Sequence, residues 1–172
     1  MDGNGRWASA RGYPRIEGHR RGVNAAKEMV RCCLKNGIAV LSLFSFGREN
    51  WARPVTEVNF LMQLFLKVIG RDIAWLHTEG VQLRFVGERA QLSQALQEKI
   101  IEAETLTQNN QCLILNIVMN YSGRWDILQA AKKLALDVAS GLIAVDAINE
   151  EMFSAYCNTR GVPDPDLLIR TG

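Results

Sequence analysis

The sequence is short of the residues that build covalent or metal scaffolds. Its four cysteines, Cys32, Cys33, Cys112 and Cys157, form no Cys-x-x-Cys pair and no metal-ligand spacing. Cys32 and Cys33 would project in different directions from a helix, so they read as small apolar packing residues in a reduced compartment. Charge of one sign is also lacking. Twenty Lys and Arg against 18 Asp and Glu leave a net charge of +2, too little to argue for nucleic acid. There is no basic stripe interleaved with aromatics, which removes the nucleic-acid binder as a leading class. The longest apolar stretches, such as Ile38 to Phe46, fall well short of the roughly 20 residues needed to span a bilayer. The start is charged and glycine-rich, unlike a signal peptide, and no linker, repeat or low-complexity segment interrupts the chain. What remains is the expectation of a soluble, cytoplasmic protein. Its 172 residues, 48% hydrophobic and 22% charged, suit one domain with a sizeable core.

The order of apolar patterns sets the fold class. Val23 to Asn36 places Val23, Ala26, Val30, Cys33 and Leu34 on one helical face, and Asn36-Gly37 is a stop signal. Ile38 to Phe46 is rich in strand formers and lacks strict alternation, which predicts a strand buried on both faces. A loop from Gly47 to Pro54 leads to a long amphipathic helix over about 56–77 and a strand at Val81 to Val86. The pattern then repeats as a helix over about 93–107, a strand from Cys112 to Val118, and helices over 125–139 and about 149–157. Pro163 and Pro165 mark a loop before a last apolar run, Leu167 to Gly172. Alternating strands and helices predict an α/β domain with a mainly parallel central sheet flanked by helices. Polar residues mark the strand ends, with Asn50, Trp51 and Arg53 after one, Asn120 and Arg124 after another, and Arg170 at the end of the last, the run from Leu167. Ligands of open α/β sheets bind beyond the carboxyl ends of the strands, so these loops are expected to converge on one pocket.

The first nineteen residues carry the densest chemistry. Gly3 and Gly5 let the backbone turn tightly, and N–H groups exposed in such a turn can cradle an oxyanion. Arg6, Arg15 and His19 add donors that match phosphate geometry. Asp2 would repel a phosphate, unless it holds a Mg²⁺ that the phosphate oxygens share. The residues thus fit a metal-assisted diphosphate site; a basic N-terminal tail that binds nothing is the other reading.

Five segments in order give this pattern a family likeness: Met-Asp-Gly-Asn-Gly-Arg-Trp7, Gly18-His-Arg-Arg-Gly22, Phe46-Gly-Arg-Glu-Asn-Trp-Ala-Arg-Pro54, Asn120-Tyr-Ser-Gly-Arg-Trp-Asp-Ile127 and Asp166-Leu-Leu-Ile-Arg-Thr-Gly172. Together they resemble the cis-prenyltransferases over the whole chain. The resemblance implies a Mg²⁺-dependent homodimer with a hydrophobic tunnel for a growing prenyl chain. It implies condensation of isopentenyl diphosphate with an allylic diphosphate, farnesyl diphosphate in the bacterial type. The product is then a long polyprenyl diphosphate such as undecaprenyl diphosphate, released at the inner face of the membrane for cell-wall synthesis. By the same resemblance Asp2 is the catalytic, Mg²⁺-binding aspartate, and Gly3, Asn4, Gly5 and Arg6 form the loop around the allylic diphosphate. Arg15 and His19 are further contacts, Trp7 lines the substrate site, and Asn50 assists proton removal or orients substrate. Gly47, Arg48, Glu49, Trp51 and Arg53 line the same site, and Arg170 holds the diphosphate of isopentenyl diphosphate. Leu113 is a candidate for the tunnel end. The chain holds no DDxxD cluster, the mark of the unrelated trans-type synthases.

Two departures from the family stand out. Gly47 replaces a usual serine, a loss that Arg48 beside it could partly cover. The chain also lacks the family's first strand and, beyond Arg-Thr-Gly172, a second arginine, a serine and a metal-binding glutamate, so the 1–172 domain is expected to be incomplete at both ends. A non-catalytic relative that stabilises a partner subunit is the competing function. Such relatives lose the aspartate and the diphosphate loop, both present here.

Overall fold

The computed structural model describes residues 1–171. Three strands, β1 (Val40–Gly47), β2 (Val81–Val86) and β3 (Leu113–Tyr121), form a parallel sheet in the order β1-β3-β2. Six helices accompany them: α1 (Asn4–Ser9), α2 (Arg15–Lys35), α3 (Val55–Thr78), α4 (Gln94–Thr107), α5 (Gly123–Ala139) and α6 (Glu150–Tyr156). Short 3-10 turns cover Arg48–Ala52 and Val145–Ala147.

Local chemistry explains the boundaries. Ser93, Ser122 and Asn149 cap α4, α5 and α6 by accepting the N–H groups of Leu96, Trp125 and Met152. Pro14 and Pro54 lead into α2 and α3 with their φ fixed by the ring. Gly37 and Gly80, at φ 67° and 72°, follow the ends of the same helices in the left-handed conformation.

The register lines up the side chains that matter. Leu83 pairs with Leu115, and Phe85 and Leu43 with Ile117, so these apolar residues share one face of the sheet. Helices α2, α3 and α4 meet that face through Val30 and Cys33, Leu61, Ile69, Ile73 and Leu76, and Leu96, Ile100 and Ala103. On the opposite face Ser42, Asn116 and Arg84 stand in one row, and Asn116 donates to Ser42 at 3.0 Å.

The structure corrects four expectations. The glycine-rich start is helical, with only Gly3 (φ 82°) left-handed before α1. α2 begins at Arg15, well before Val23, because its glycines serve packing. A Cβ on Gly18 would lie 1.9 Å from the Asn4 carbonyl oxygen, and one on Gly22 2.6 Å from the Asn4 amide nitrogen. β1 is not buried on both faces: it pairs only with β3 among the described residues, and Phe44 is 45% exposed. The run from Leu167 forms no strand through Thr171, its leucines are exposed, and its last residue, Gly172, lies outside the described residues.

Candidate active site

A cavity of about 560 Å³ lies between the apolar sheet face and helices α2 and α3. Leu43, Phe85, Leu115 and Ile117 floor it; Val23, Ala26 and Val30 of α2 and Leu61, Phe65, Val68 and Ile69 of α3 wall it. Its mouth, in contrast, is polar. Asp2 to Arg6, Arg15, His19, Glu49, Asn50, Arg53 and Arg170 gather there from α1, the start of α2, the turn after β1 and the C-terminal segment. This is the carboxyl end of β1 and the N-terminal end of α2, where helix N–H groups favour an anion.

Asp2 is held from three sides. Its carboxylate accepts the Gly3 N–H at 2.7 Å, and Arg170 and Arg6 approach it at 3.2 and 3.5 Å. The Gly3 hydrogen bond leads in keeping its carboxyl below the ordinary value, with Arg170 and Arg6 outweighing slight burial. The Thr171 hydroxyl donates to the Asp2 carbonyl at 2.9 Å, so the C-terminal segment folds back onto the N-terminus.

Behind Asp2 lies a network that sequence reasoning misses. Glu57, on the first turn of α3, accepts Arg15 at 3.1 Å and Arg53 at 3.2 Å and lies 3.1 Å from His19 Nε2. Burial pushes the Glu57 carboxyl up, but its bonds to Arg15 and His19 and the charge of Arg53 win and hold it below the ordinary value. For His19 burial dominates and lowers the pKa, against the pull of Glu57. The signal that could have found it is the i,i+4 spacing of Arg53 and Glu57. Gly5 belongs to the same arrangement, since a Cβ there would lie 2.8 Å from the Arg15 guanidinium carbon.

Asn50 turns its Oδ1 to the Gly47 N–H at 3.0 Å, which leaves its Nδ2 group as a donor for a ligand. At Gly47 an added Cβ would fall 2.2 Å from a Glu49 carboxylate oxygen, so Glu49 fills the space a side chain there would take.

Several expected site residues stand elsewhere. Trp7 stacks on Tyr13 under Arg11 and Arg21 and is not among the cavity's lining residues. Trp51 packs edge-on against Phe46 and donates to Asn120 at 2.8 Å, while Arg48 pairs with Glu88 and lies over Trp125. Both residues, with Gly47, stay off the cavity lining because the 3-10 turn after β1 directs only Glu49 and Asn50 inward. Leu113 is buried in the core, away from the lining.

The family model described as "Putative undecaprenyl diphosphate synthase", a prenyltransferase family, matches residues 1–172. The chain belongs to that prenyltransferase family. Among its relatives is the farnesyl-diphosphate-specific ditrans,polycis-undecaprenyl-diphosphate synthase of Legionella pneumophila strain Paris. The two are 55% identical over 171 residues, which cover 99% of this chain and 72% of the relative. The corresponding synthase of Vibrio parahaemolyticus is 47% identical, with 99% and 68% covered. A crystal structure of lavandulyl diphosphate synthase from Lavandula x intermedia, in complex with dimethylallyl diphosphate, is 32% identical. It superposes with a TM-score of 0.91, covering 94% of this chain and 70% of that one. The shared prenyltransferase fold is thus the parallel sheet with its flanking helices, and no helix among the described residues is long and apolar enough to cross a membrane.

Proposed function

We propose that the chain is a cis-prenyltransferase that condenses isopentenyl diphosphate with an allylic diphosphate, farnesyl diphosphate in the first instance, to give a long polyprenyl diphosphate. One observation carries this reading: a cationic mouth opens directly onto an apolar cavity of about 560 Å³. An amphiphile with a doubly anionic head and a hydrocarbon tail matches both parts. Each CH₂ buried in such a wall contributes up to about 0.8 kcal/mol, so the tail supplies much of the binding.

The geometry supports the following roles. Asn4, Gly5 and Arg6 present backbone and guanidinium donors to the allylic diphosphate, Gly3 turns the chain into them while its N–H holds Asp2, and Arg15 and His19 stand behind. Arg53 and Arg170 reach the same mouth and suit the second diphosphate. The allylic C–O bond breaks, the isopentenyl double bond attacks the allylic carbon, and a proton leaves the new carbon skeleton. Asn50 is an amide donor here, not a base, so it orients a diphosphate oxygen that takes the proton. The apolar wall excludes water from the allylic centre.

Among the described residues no group of three or more His, Cys, Asp or Glu forms a metal cage. Asp2 is one of two carboxylates lining the mouth, with Glu49, which fits Mg²⁺, an ion commonly held by one or two carboxylates together with substrate phosphates. When bound, Mg²⁺ supplies charge neutralisation for the leaving diphosphate. Pairing with a second copy and delivery of product at the cytoplasmic face of a membrane complete the reading. The exposed Ile127, Leu128 and Leu136 of α5 support a surface that another surface covers.

The test is incorporation of radiolabelled isopentenyl diphosphate onto farnesyl diphosphate, with Mg²⁺ and with a chelator. Mg²⁺-dependent long products are expected; a folded protein that incorporates nothing would refute an autonomous enzyme and favour the partner-stabilising alternative.

A further inference from the structure

One charged pair in the cavity wall has no part in the chemistry above. Lys27 Nζ lies 2.6 Å from Asp72 Oδ1, and Arg71 grips the same carboxylate as a fork, at 2.8 and 2.9 Å. The Asp72 side chain is 9% exposed and that of Lys27 26%. Both line the cavity beside Trp75, whose ring faces Lys27 and Arg31. Hydrocarbon gains nothing from charges in its path, and buried charges are costly unless well paired. The pair therefore calls for an account beyond packing.

Its place in the fold supplies one. Among the described residues two ion-paired groups join α2 to α3. The first is at the mouth, where Arg15 and His19 meet Glu57. The second is Lys27–Asp72, two helical turns deeper on α2, roughly 12 Å from His19 at the rise of a helix. Between them the seam is apolar. Val23, Leu64 and Val68 line both the cavity and a groove on its outer side, so they form the partition between the two. The seam is thus a thin apolar wall fastened ionically at each end.

We infer that the Lys27–Asp72 pair is the inner fastener of this wall and a determinant of how long a prenyl chain the cavity accepts. The inference rests on the prenyltransferase reading. A chain reaching this depth meets a fixed, polar boundary that α2 and α3 cannot widen without separating the pair. Replacing both partners by apolar residues removes the boundary while leaving no buried charge from either one unmatched across the seam; Arg71, half-exposed, turns to solvent.

The test is calorimetric titration with prenyl diphosphates of increasing length, from geranyl and farnesyl to a long polyprenyl diphosphate. It compares the wild-type protein with the double variant K27M/D72L and with K27R. In the wild type, affinity should rise with length and then level off. In K27M/D72L the plateau should move by at least one isoprene unit. Affinity for the longest probe should rise about tenfold, well under the value of fully burying one such unit, with farnesyl diphosphate little changed. K27R keeps the pair and should keep the wild-type profile. An unchanged profile in K27M/D72L, or a shift in K27R equal to that of the double variant, would overturn the inference. A folded wild type that binds no prenyl diphosphate of any length would overturn the functional reading and the inference with it.

Discussion

His19 Nε2 lies 3.1 Å from Glu57 Oε1, and that oxygen also accepts Arg53, so one buried carboxylate organises the cations at the cavity mouth. Removing its charge leaves Arg15, Arg53 and His19 facing one another. Arg15 is half-exposed and solvent screens part of the loss, so Glu57→Gln should cost about 2 kcal/mol, below the full penalty for breaking a buried pair. Urea unfolding measures it, and a midpoint equal to wild type would show that the network is not a stabilising one.

The pH dependence has a definite sign. Burial holds His19 below its ordinary value of 6.5, so as pH falls the unfolded chain takes up the proton first. Stability from this group is present above about 6.5 and declines as pH drops through and below that value. Glu57 adds a second loss at lower pH, beginning below its ordinary 4.5, since its folded pKa is depressed. Urea midpoints should fall between pH 7.5 and 5.5, and His19→Asn should flatten that part of the curve. An equally steep slope in the variant would assign the titration to another group.

Asp2→Ala separates chemistry from folding. The Asp2 side chain is 45% exposed, and ion pairs so exposed contribute little to stability. The thermal midpoint should stay where it is. Turnover should drop by about 10²–10³-fold, the scale of losing one electrostatic stabiliser of developing charge. Near-normal turnover would remove Asp2 from the metal role.

Two glycine-to-alanine changes should move stability in opposite directions. At Gly18 the new Cβ meets the Asn4 backbone oxygen at 1.9 Å, and backbone cannot yield as a flexible side chain does. Overpacking of about 1–3 kcal/mol or more exceeds the helix-propensity gain of up to about 1 kcal/mol, so the protein is destabilised and α1 is pushed off α2. At Gly70, inside α3, nothing lies within 4 Å, and alanine should stabilise by about 0.5–1 kcal/mol. Diphosphate affinity should fall in the first variant only.

Trp51→Phe tests the displacement of Trp51 from the cavity. Its indole N–H satisfies Asn120 Oδ1, which is fully buried, and leaving that oxygen unpaired costs about 1–3 kcal/mol. Thermal stability should decrease while KM for both diphosphates stays within about twofold, because an indole outside the cavity lining touches neither substrate. A large rise in KM with unchanged stability would return Trp51 to the site.

Periodicity and capping residues make most of the architecture legible. The apolar pattern marks β2 to the residue, and the stops at Gly37 and Gly80 follow from their positive φ. Glycine near the N-terminus is where pattern alone misleads. Gly18 and Gly22 look like helix breakers in one dimension, yet in three they admit Asn4 against α2. The mouth residues Asp2, Arg15, His19, Asn50 and Arg53 are expected together and are found together. Glu57 shows locally only through its i,i+4 spacing to Arg53; its bonds to Arg15 and His19 and the Lys27–Asp72 pair are invisible because partners 38 to 45 residues apart on two helices leave no local pattern.

Asn120 has a consequence for motion rather than chemistry. At φ 51° it accepts from Trp51, donates to the Glu88 carbonyl and to Gln91, and its own carbonyl accepts the Glu88 N–H. The segments after β1 and β2 thus close on one side chain near the end of β3. They should open as a cooperative unit, so that in native-state hydrogen exchange the amides of Gly47, Arg53 and Glu88 share one opening free energy, separate from the slower amides of β3.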